Sequence, residues 1–459
     1  MAKLNVPRPA IYTHEGGKAK HINSEMELRR SIMACMLWES SFYEDGQAIA
    51  DRIAGLVQKV SPEKCRDIAV EARSKMKLRH APLLVARHMA ALKTHAPFVR
   101  KTISDIIQRP DELSEFLAIY WRDGKQPLSG QVKKGLAGAF AKFNEYSLSK
   151  YDRDGAIKLR DVLFLCHAKP KDKEQEDLWR RLVEGKLATP DTWEVSLSSG
   201  GDKKTHWERM LSENKLGALA LLRNLRNMNQ AGVDNNLIIA ALDRMKTERV
   251  LPFRFISAAR FAPDLEPNLE TAMLKCLSAH DKIPGHTVLL LDVSGSMDSV
   301  VSQRSDITRL DAACGVAMLA REVCEKVSVF TFSDSFVHIP ARRGFALRDA
   351  IVNSQEHNGT PLGLAVKCVY ESPSFAFRGR LYPGYSNTGI YQGQGLHPDR
   401  LVVITDEQSF DPVPDPIGKG YMINVASNKN GVGYGAWTHI DGWSEAVVDY
   451  LRAYELELR

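Results

Sequence analysis

The chain has little that would mark a secreted, membrane-spanning or disordered protein. No run of apolar residues approaches the roughly 18 that cross a bilayer. Residues Met1 to Gly17 mix prolines with charges and hold no apolar stretch of signal-peptide type, so a cleaved secretory leader is not expected. Cysteine is scarce: there are 7 in 459 residues, scattered and never closer than ten apart. That pattern is neither a disulfide framework nor a zinc knuckle, and it points to a reducing, cytoplasmic setting. No glycine-rich phosphate loop precedes a Lys-Ser/Thr pair, and no paired carboxylates accompany the basic segments, so nuclease and nucleotide-hydrolase chemistry is not expected. What remains is a chain of 44% hydrophobic and 26% charged residues, long enough for two or three globular domains.

Charge divides that length unevenly. From Gly285 onward there are 15 basic and 20 acidic residues, a net of −5, whereas residues 1–284 hold 47 basic against 36 acidic, a net of +11. Opposite signs suggest two different tasks. A basic first part suits a polyanionic partner such as nucleic acid, although a basic solvated surface would look the same in composition.

The style of the sequence changes at the same place. Before it, amphipathic segments follow one another: Glu25–Trp38, a helix opened by Ser61-Pro62-Glu63, another opened by Pro110-Asp111-Glu112, then Asn214–Asn227 and Asn235–Lys246. Many short helices with small turns resemble a solenoid, though no fixed period is visible. After Lys282-Ile283-Pro284-Gly285 come short apolar runs, Thr287–Leu291, Val327–Phe332, Leu401–Thr405 and Tyr421–Ala426, with an amphipathic stretch Arg309–Lys326 between the first two. Buried strands alternating with helices predict a doubly wound α/β domain over 285–459, its sites at the carboxyl ends of the strands. Residues 370–394, rich in Gly, Ser, Tyr and Pro, predict a long exposed loop.

Two candidate sites fail. Asp152-Arg153-Asp154-Gly155 resembles the centre of a calcium loop, but Lys150 falls on its first ligand position. Asp292, at the end of an apolar run, could be a phosphorylated nucleophile, yet Ser294 stands where a second acid is wanted. The same segment, Asp292-Val293-Ser294-Gly295-Ser296, is the strongest signal in the chain. It presents one carboxylate and two hydroxyls at a strand end, a hard-oxygen set suited to Mg²⁺ or a similar divalent cation that keeps several waters. Gly359-Thr360-Pro361 reads as a helix start with Thr360 as N-cap, and Leu401–Thr405 ends in Asp406. The three places can converge in one strand-end crevice. Glu407 either competes as a ligand or faces solvent.

The set Asp292, Ser294, Ser296, Thr360 and Asp406 resembles the metal-ion-dependent adhesion site of von Willebrand factor A domains. The resemblance implies Ser294, Ser296 and Thr360 as near ligands, Asp292 and Asp406 holding the ion or its waters, and an open position for an acidic protein ligand. A second resemblance is independent of the first. Thr13-His14-Glu15-Gly16-Gly17, the segment Leu28–Gly46, Leu221–Met228 and Pro252–Arg260 are similar to the TROVE module of the Ro autoantigen family and its bacterial and phage relatives. Together the two cover almost the whole chain. They imply an α plus α/β fold: a monomeric ring of HEAT-like helical repeats over 1–284, followed by a Rossmann-like A domain. They also imply non-enzymatic binding of small structured non-coding (Y-like) RNAs and of single-stranded ends of misfolded RNAs, in RNA quality control, sometimes with an exoribonuclease partner.

Candidate RNA contacts follow. The stretch 131–160 carries Lys133, Lys134, Lys142, Lys150, Arg153, Lys158 and Arg160, interleaved with Phe140, Phe143, Tyr146 and Tyr151 that either stack on bases or fill a core. By the resemblance, Lys150 and His167 fall on RNA-contacting positions of the family, and Arg153 lies one position from a basic one, where this chain has Asp154. Arg223 and Arg226, with Asn224 and Asn227, either meet RNA or form a buried polar network. The competing reading is a metal-dependent protein-interaction scaffold without RNA binding.

Overall fold

A computed structural model describes residues 9–33, 45–152, 154–198, 200–246, 250, 252–277, 282–301, 306–371, 395–426 and 428–442. The described chain gathers into two compact units, one of residues 23–39 and 45–210, the other of 1–22, 40–44 and 211–459. The change from helix to strand falls at Ile283, whereas compactness divides near residue 210.

The unit of 23–39 and 45–210 is helical throughout its described residues. Local chemistry sets its helix starts. Ser61 caps the helix Pro62–Ser74 by accepting from the Lys64 amide, with proline at its first position, and Ser129, Asn144 and Asp172 cap three further helices in the same way. Their apolar faces meet in one core that includes Ile53, Ile68, Val85, Ile103, Phe116, Leu136 and Phe140. Trp179 packs edge-on against Phe140, with ring centroids 5.5 Å apart. One ion pair is buried with this core. Arg73 meets Glu112 at 2.8 Å and also donates to the Ile106 carbonyl, while Glu112 accepts from the Gln108 and Arg109 amides. Every charge there is hydrogen-bonded, the condition under which a buried pair is tolerated.

The other unit holds a six-stranded sheet in the order β3-β2-β1-β4-β5-β6, where β1 is Ile283–Asp292, β2 Cys324–Phe332, β3 Phe336–Ile339, β4 Arg400–Thr405, β5 Lys419–Asn424 and β6 Thr438–Asp441. All neighbours pair in parallel except β2 and β3. The order reverses between β1 and β4, so their carboxyl ends open onto the switch-point crevice of a doubly wound sheet. The helices Ala218–Gln230, Asn235–Arg244, Pro252–Phe261 and Glu266–Leu277 belong to this unit. Arg260 donates to Asp311 and to the Asp306 carbonyl, and Glu270 accepts from the Phe345 amide at 2.7 Å, which ties helices to the α/β part.

Several elements differ from expectation. The helix Arg309–Val323 is buried nearly all round, not amphipathic, because it lies between the sheet and the helices before residue 283. The segment expected as a helix over Asn214–Asn227 starts only at Ala218, since Asn214 takes a left-handed conformation (φ 51°) and breaks the turn. Thr360 is not the N-cap: Pro361 holds that position and the helix runs Leu362–Tyr370. Residues 34–38 of the first expected helix, and most of the expected loop 370–394, lie outside the described residues.

The segment Thr13-His14-Glu15-Gly16-Gly17 acts as a clip on the α/β part. The Thr13 hydroxyl donates to the Ser409 carbonyl at 2.7 Å, the His14 amide to Gln408 Oε1 at 2.8 Å, and Asn430 Nδ2 to the Tyr12 carbonyl at 2.8 Å. A Cβ at Gly17 would collide with the Ser409 backbone, so only glycine allows this approach. Replacing Gly17 by Ala should therefore cost about 1–3 kcal/mol, as overpacking does. The control Gly55→Ala, at a helical position with open space around it, should be neutral or stabilising. Equal melting temperatures for the two variants would contradict the role given to the clip.

Candidate cation site and basic surfaces

The crevice at the ends of β1 and β4 gathers four of the five expected ligands through direct contacts. Asp292 ends β1, and its Oδ1 accepts from the Ser294 amide at 2.9 Å, turning the loop so that both serines face the crevice. The Ser294 and Ser296 hydroxyls are 3.3 Å apart, and Ser296 donates to Asp406 Oδ2 at 2.7 Å across 110 residues. Thr405, the last residue of β4, donates to Asp292 Oδ2 at 2.6 Å. Thr360 is buried beside this group: the Gly295 amide donates to the Asn358 carbonyl at 3.1 Å, and Ser409 Oγ to the Thr360 carbonyl at 3.0 Å.

Asp292 and Asp406 have no solvent exposure. Burial raises the Asp292 carboxyl above its usual range, and the nearby Asp406 charge raises it further. A site of this kind needs positive charge. Part of it comes from Arg309, whose Nη1 lies 3.2 Å from Asp406 Oδ2. The donors brought together, two carboxylates and the Ser294 and Ser296 hydroxyls with Thr360 buried nearby, are hard oxygens of the kind that could hold a divalent cation with remaining water ligands. Among the described residues no group of three or more His, Cys, Asp or Glu could hold a metal, so any such site depends on the hydroxyls.

Glu407 takes neither role considered for it. Its backbone is left-handed (φ 61°), which turns the side chain away from Asp406 and into the protein. There Glu407 Oε1 accepts from the Gly433 amide at 3.0 Å and from His439 Nε2 at 2.9 Å. On its other side His439 Nδ1 is 3.4 Å from Asp441 Oδ2, and Asn424 donates to Asp441 Oδ1 at 2.8 Å. The Tyr434 ring stacks on the imidazole at 4.0 Å. Burial alone would favour neutral His439, but the Asp441 and Glu407 charges outweigh it and push its pKa up to about 9.

The candidate RNA residues fall into two groups, one in each unit. In the helical unit Lys134 is exposed and Lys133 half-buried on the helix Gly130–Phe140. Lys150, half-buried, is 3.6 Å from Glu194. His167 ends the helix Leu159–Cys166 in a left-handed conformation (φ 52°), with its amide closing the last turn and its side chain exposed. Of the interleaved aromatics, Phe140 and Phe143 are core, Tyr151 lies under the Arg109 guanidinium at 4.6 Å, and Tyr146 is exposed. Phe164, exposed one turn before His167, was not singled out by the sequence because its helix carries apolar residues on both sides. Arg153 lies outside the described residues. In the other unit, Asn224 is buried, donating to the Ala220 carbonyl and accepting from Asn227, so it belongs to the polar network. Arg223 and Arg226 are exposed, and the Arg226 guanidinium lies 5.2 Å from the centre of the exposed Phe261 ring.

The cysteines contribute no reactive centre among those described: Cys65, Cys166, Cys314, Cys324 and Cys368 are buried free thiols, and burial pushes Cys65 and Cys368 up to about 12.

With this geometry in place, comparison with known proteins gives three findings. The TROVE domain family matches residues 183–358. Telomerase protein component 1 of Mus musculus is 36% identical over 92 residues, which is 19% of this chain and 4% of that protein. Its Rattus norvegicus counterpart is 35% identical over the same length. The chain thus spans a small fraction of these relatives. The crystal structure of the Deinococcus radiodurans RO (RSR) protein superposes with a TM-score of 0.57 at 16% identity, covering 94% of this chain and 99% of that one. At that identity the likeness speaks to fold.

The His439 network yields a stability test. An imidazolium whose folded pKa lies near 9, above the unfolded value near 6.5, stabilises the fold fully below about pH 6.5 and loses that contribution as pH rises through about 9. Melting temperature should fall over that window in the parent, and the part of the slope owed to this group should vanish in His439→Gln. An identical pH profile for both proteins would contradict a charged His439.

Proposed function

We propose that this chain, a TROVE-domain protein of the Ro autoantigen family, binds small structured non-coding RNAs of the Y type and single-stranded ends of misfolded RNAs without chemically altering them. The observation that carries the reading is the coincidence of the TROVE match over 183–358 with Arg223 and Arg226, both exposed, one of them against an exposed aromatic ring. A guanidinium beside a phenyl face offers a phosphate contact and a stacking surface within one nucleotide's reach. Lys133, Lys134, Lys150, Arg153 and His167 would supply a second set of contacts. His167 supports this reading because a non-glycine residue held left-handed costs about 1 kcal/mol while its imidazole is left outside the core.

The strand-end crevice would hold one Mg²⁺ or similar divalent ion through Ser294, Ser296 and Thr360, with Asp292 and Asp406 fixing it directly or through water. The ion's open position would accept a carboxylate from an acidic protein partner; separately, an exoribonuclease would act on the bound RNA. The hard-oxygen donor set and the two buried carboxylates support this part of the reading.

Gel-shift titration with a structured RNA bearing a single-stranded 3′ tail tests the RNA reading. Replacing several phosphate counterions, affinity should drop by on the order of 10³ between 50 and 200 mM salt. No binding, or a flat salt response, would leave the protein-scaffold alternative. Lys150→Ala with His167→Ala, and separately Arg223→Ala with Arg226→Ala, should each weaken binding with unchanged helical circular dichroism. Asp292→Ala should leave RNA affinity intact and abolish metal-dependent partner capture. Loss of RNA binding in that variant would show that cation site and RNA sites are coupled.

A further inference from the structure

Arg309 is in an unexpected place for its charge. It is the first residue of the helix Arg309–Val323, after the N-cap Thr308, where the helix dipole disfavours a cation. Its side chain is nonetheless only 5% exposed. The helix does not account for this position, but the crevice does. Arg309 Nη1 lies 3.2 Å from Asp406 Oδ2 and 3.4 Å from the Ser296 carbonyl, and the same Oδ2 accepts the Ser296 hydroxyl at 2.7 Å. The guanidinium therefore sits on the carboxylate oxygen to which a candidate metal ligand is also bonded. Thr308 and Asp311 form a capping box, and the Arg309 amide donates to the Ser299 carbonyl at 2.9 Å, so the backbone that carries the guanidinium is fixed.

We propose that Arg309 is a built-in counter-cation of the strand-end site: it neutralises Asp406 when no ion is bound and weakens divalent-cation binding by sharing that carboxylate. The inference rests on the reading of the crevice as a cation site. Two buried carboxylates without any positive charge would be strongly unfavourable. Arg309 offsets carboxylate charge in the ion-free site, so that site is less unfavourable than the bare pair of acids would be. The same guanidinium repels an arriving divalent ion across a short, poorly solvated distance. Divalent affinity follows the net negative charge of the ligand set, so this chain holds its ion weakly and exchanges it readily. Arg309 is a positioning and charge-setting residue and not itself a ligand.

The test uses the full-length chain with Mn²⁺ as probe, followed by electron paramagnetic resonance and by calorimetric titration. Arg309→Gln keeps a hydrogen-bond donor near Asp406 and removes the charge, and it should bind Mn²⁺ at least tenfold more tightly than the parent. Arg309→Lys keeps the charge and should bind as the parent does. Equal Mn²⁺ affinity for parent and Arg309→Gln would overturn the proposal while leaving the cation site standing. So would a lysine variant as tight as the glutamine one, since packing and not charge would then be responsible. No binding by any of the three at millimolar Mn²⁺ would remove the cation site and the proposal together. Should Arg309→Gln fail to fold without metal, refolding on addition of Mn²⁺ would support the proposal, and failure to refold would overturn it.

Discussion

Two carboxylates with no access to solvent, Asp292 and Asp406, stand at the ends of neighbouring parallel strands, and much of the surrounding structure serves to make that tolerable. Buried carboxylates need hydrogen-bond donors and a nearby positive charge. The Ser294 amide and the Thr405 hydroxyl each donate to one oxygen of Asp292, while the Ser296 hydroxyl, the Gln408 amide and Arg309 serve Asp406. The five donors come from four elements: the loop after β1, which supplies both serines, the end of β4, the turn beyond it, and the start of the helix Arg309–Val323. Holding the acids thus holds these elements in register. The strand-order reversal between β1 and β4 explains the location, because only there do two strand ends diverge enough to leave a crevice.

The turn after β4 divides the local chemistry in two. Asp406 faces the crevice, and the left-handed backbone of Glu407 sends the next side chain to the opposite side, where it meets His439 and Asp441. Two adjacent acids are thereby kept from repelling each other in one pocket. Gly433 is part of that solution, since a Cβ there would strike Glu407 and Met422. From the outside, the clip of residues 12–17 fastens to Gln408, Ser409 and Asn430, and Ser409 in turn holds the Thr360 carbonyl. The N-terminal segment therefore supports a site almost four hundred residues away in sequence.

The parts of this arrangement legible in the sequence are those carried by local pattern. Four apolar runs gave β1, β2, β4 and β5 to within a few residues, and Asp-x-Ser-x-Ser at the end of one of them marked the crevice. The strands β3 and β6 are four residues each, Phe336–Ile339 and Thr438–Asp441, too short for alternation to register. Arg309 was invisible because its partner is 97 residues distant and its own neighbours read as an ordinary helix start. The partner of Glu407 depends on one backbone angle, which no spacing rule encodes. The tripeptide Gly359-Thr360-Pro361 placed Thr360 beside the crevice but misplaced the cap by one residue, because Asp411 satisfies the free Gly363 and Leu364 amides from across the loop and no side-chain cap was needed at Thr360.

The basic surfaces pose a different problem, because many of their charges are paired. Lys150 has Glu194, Lys158 has Asp154, Arg181 has Glu145 and Asp177, and Arg209 has Asp191. Pairs near the surface such as these add little stability. Pairing moves charge about within residues 1–284 but cannot change its sum, so the excess of +11 survives every internal salt bridge. On the proposed reading, that excess would set the long-range attraction for a polyanion, and the paired residues would exchange their partners for phosphates. On the same reading, exposed Arg226 beside Phe261 and exposed His167, whose backbone is set by its left-handed turn, would convert non-specific attraction into particular contacts.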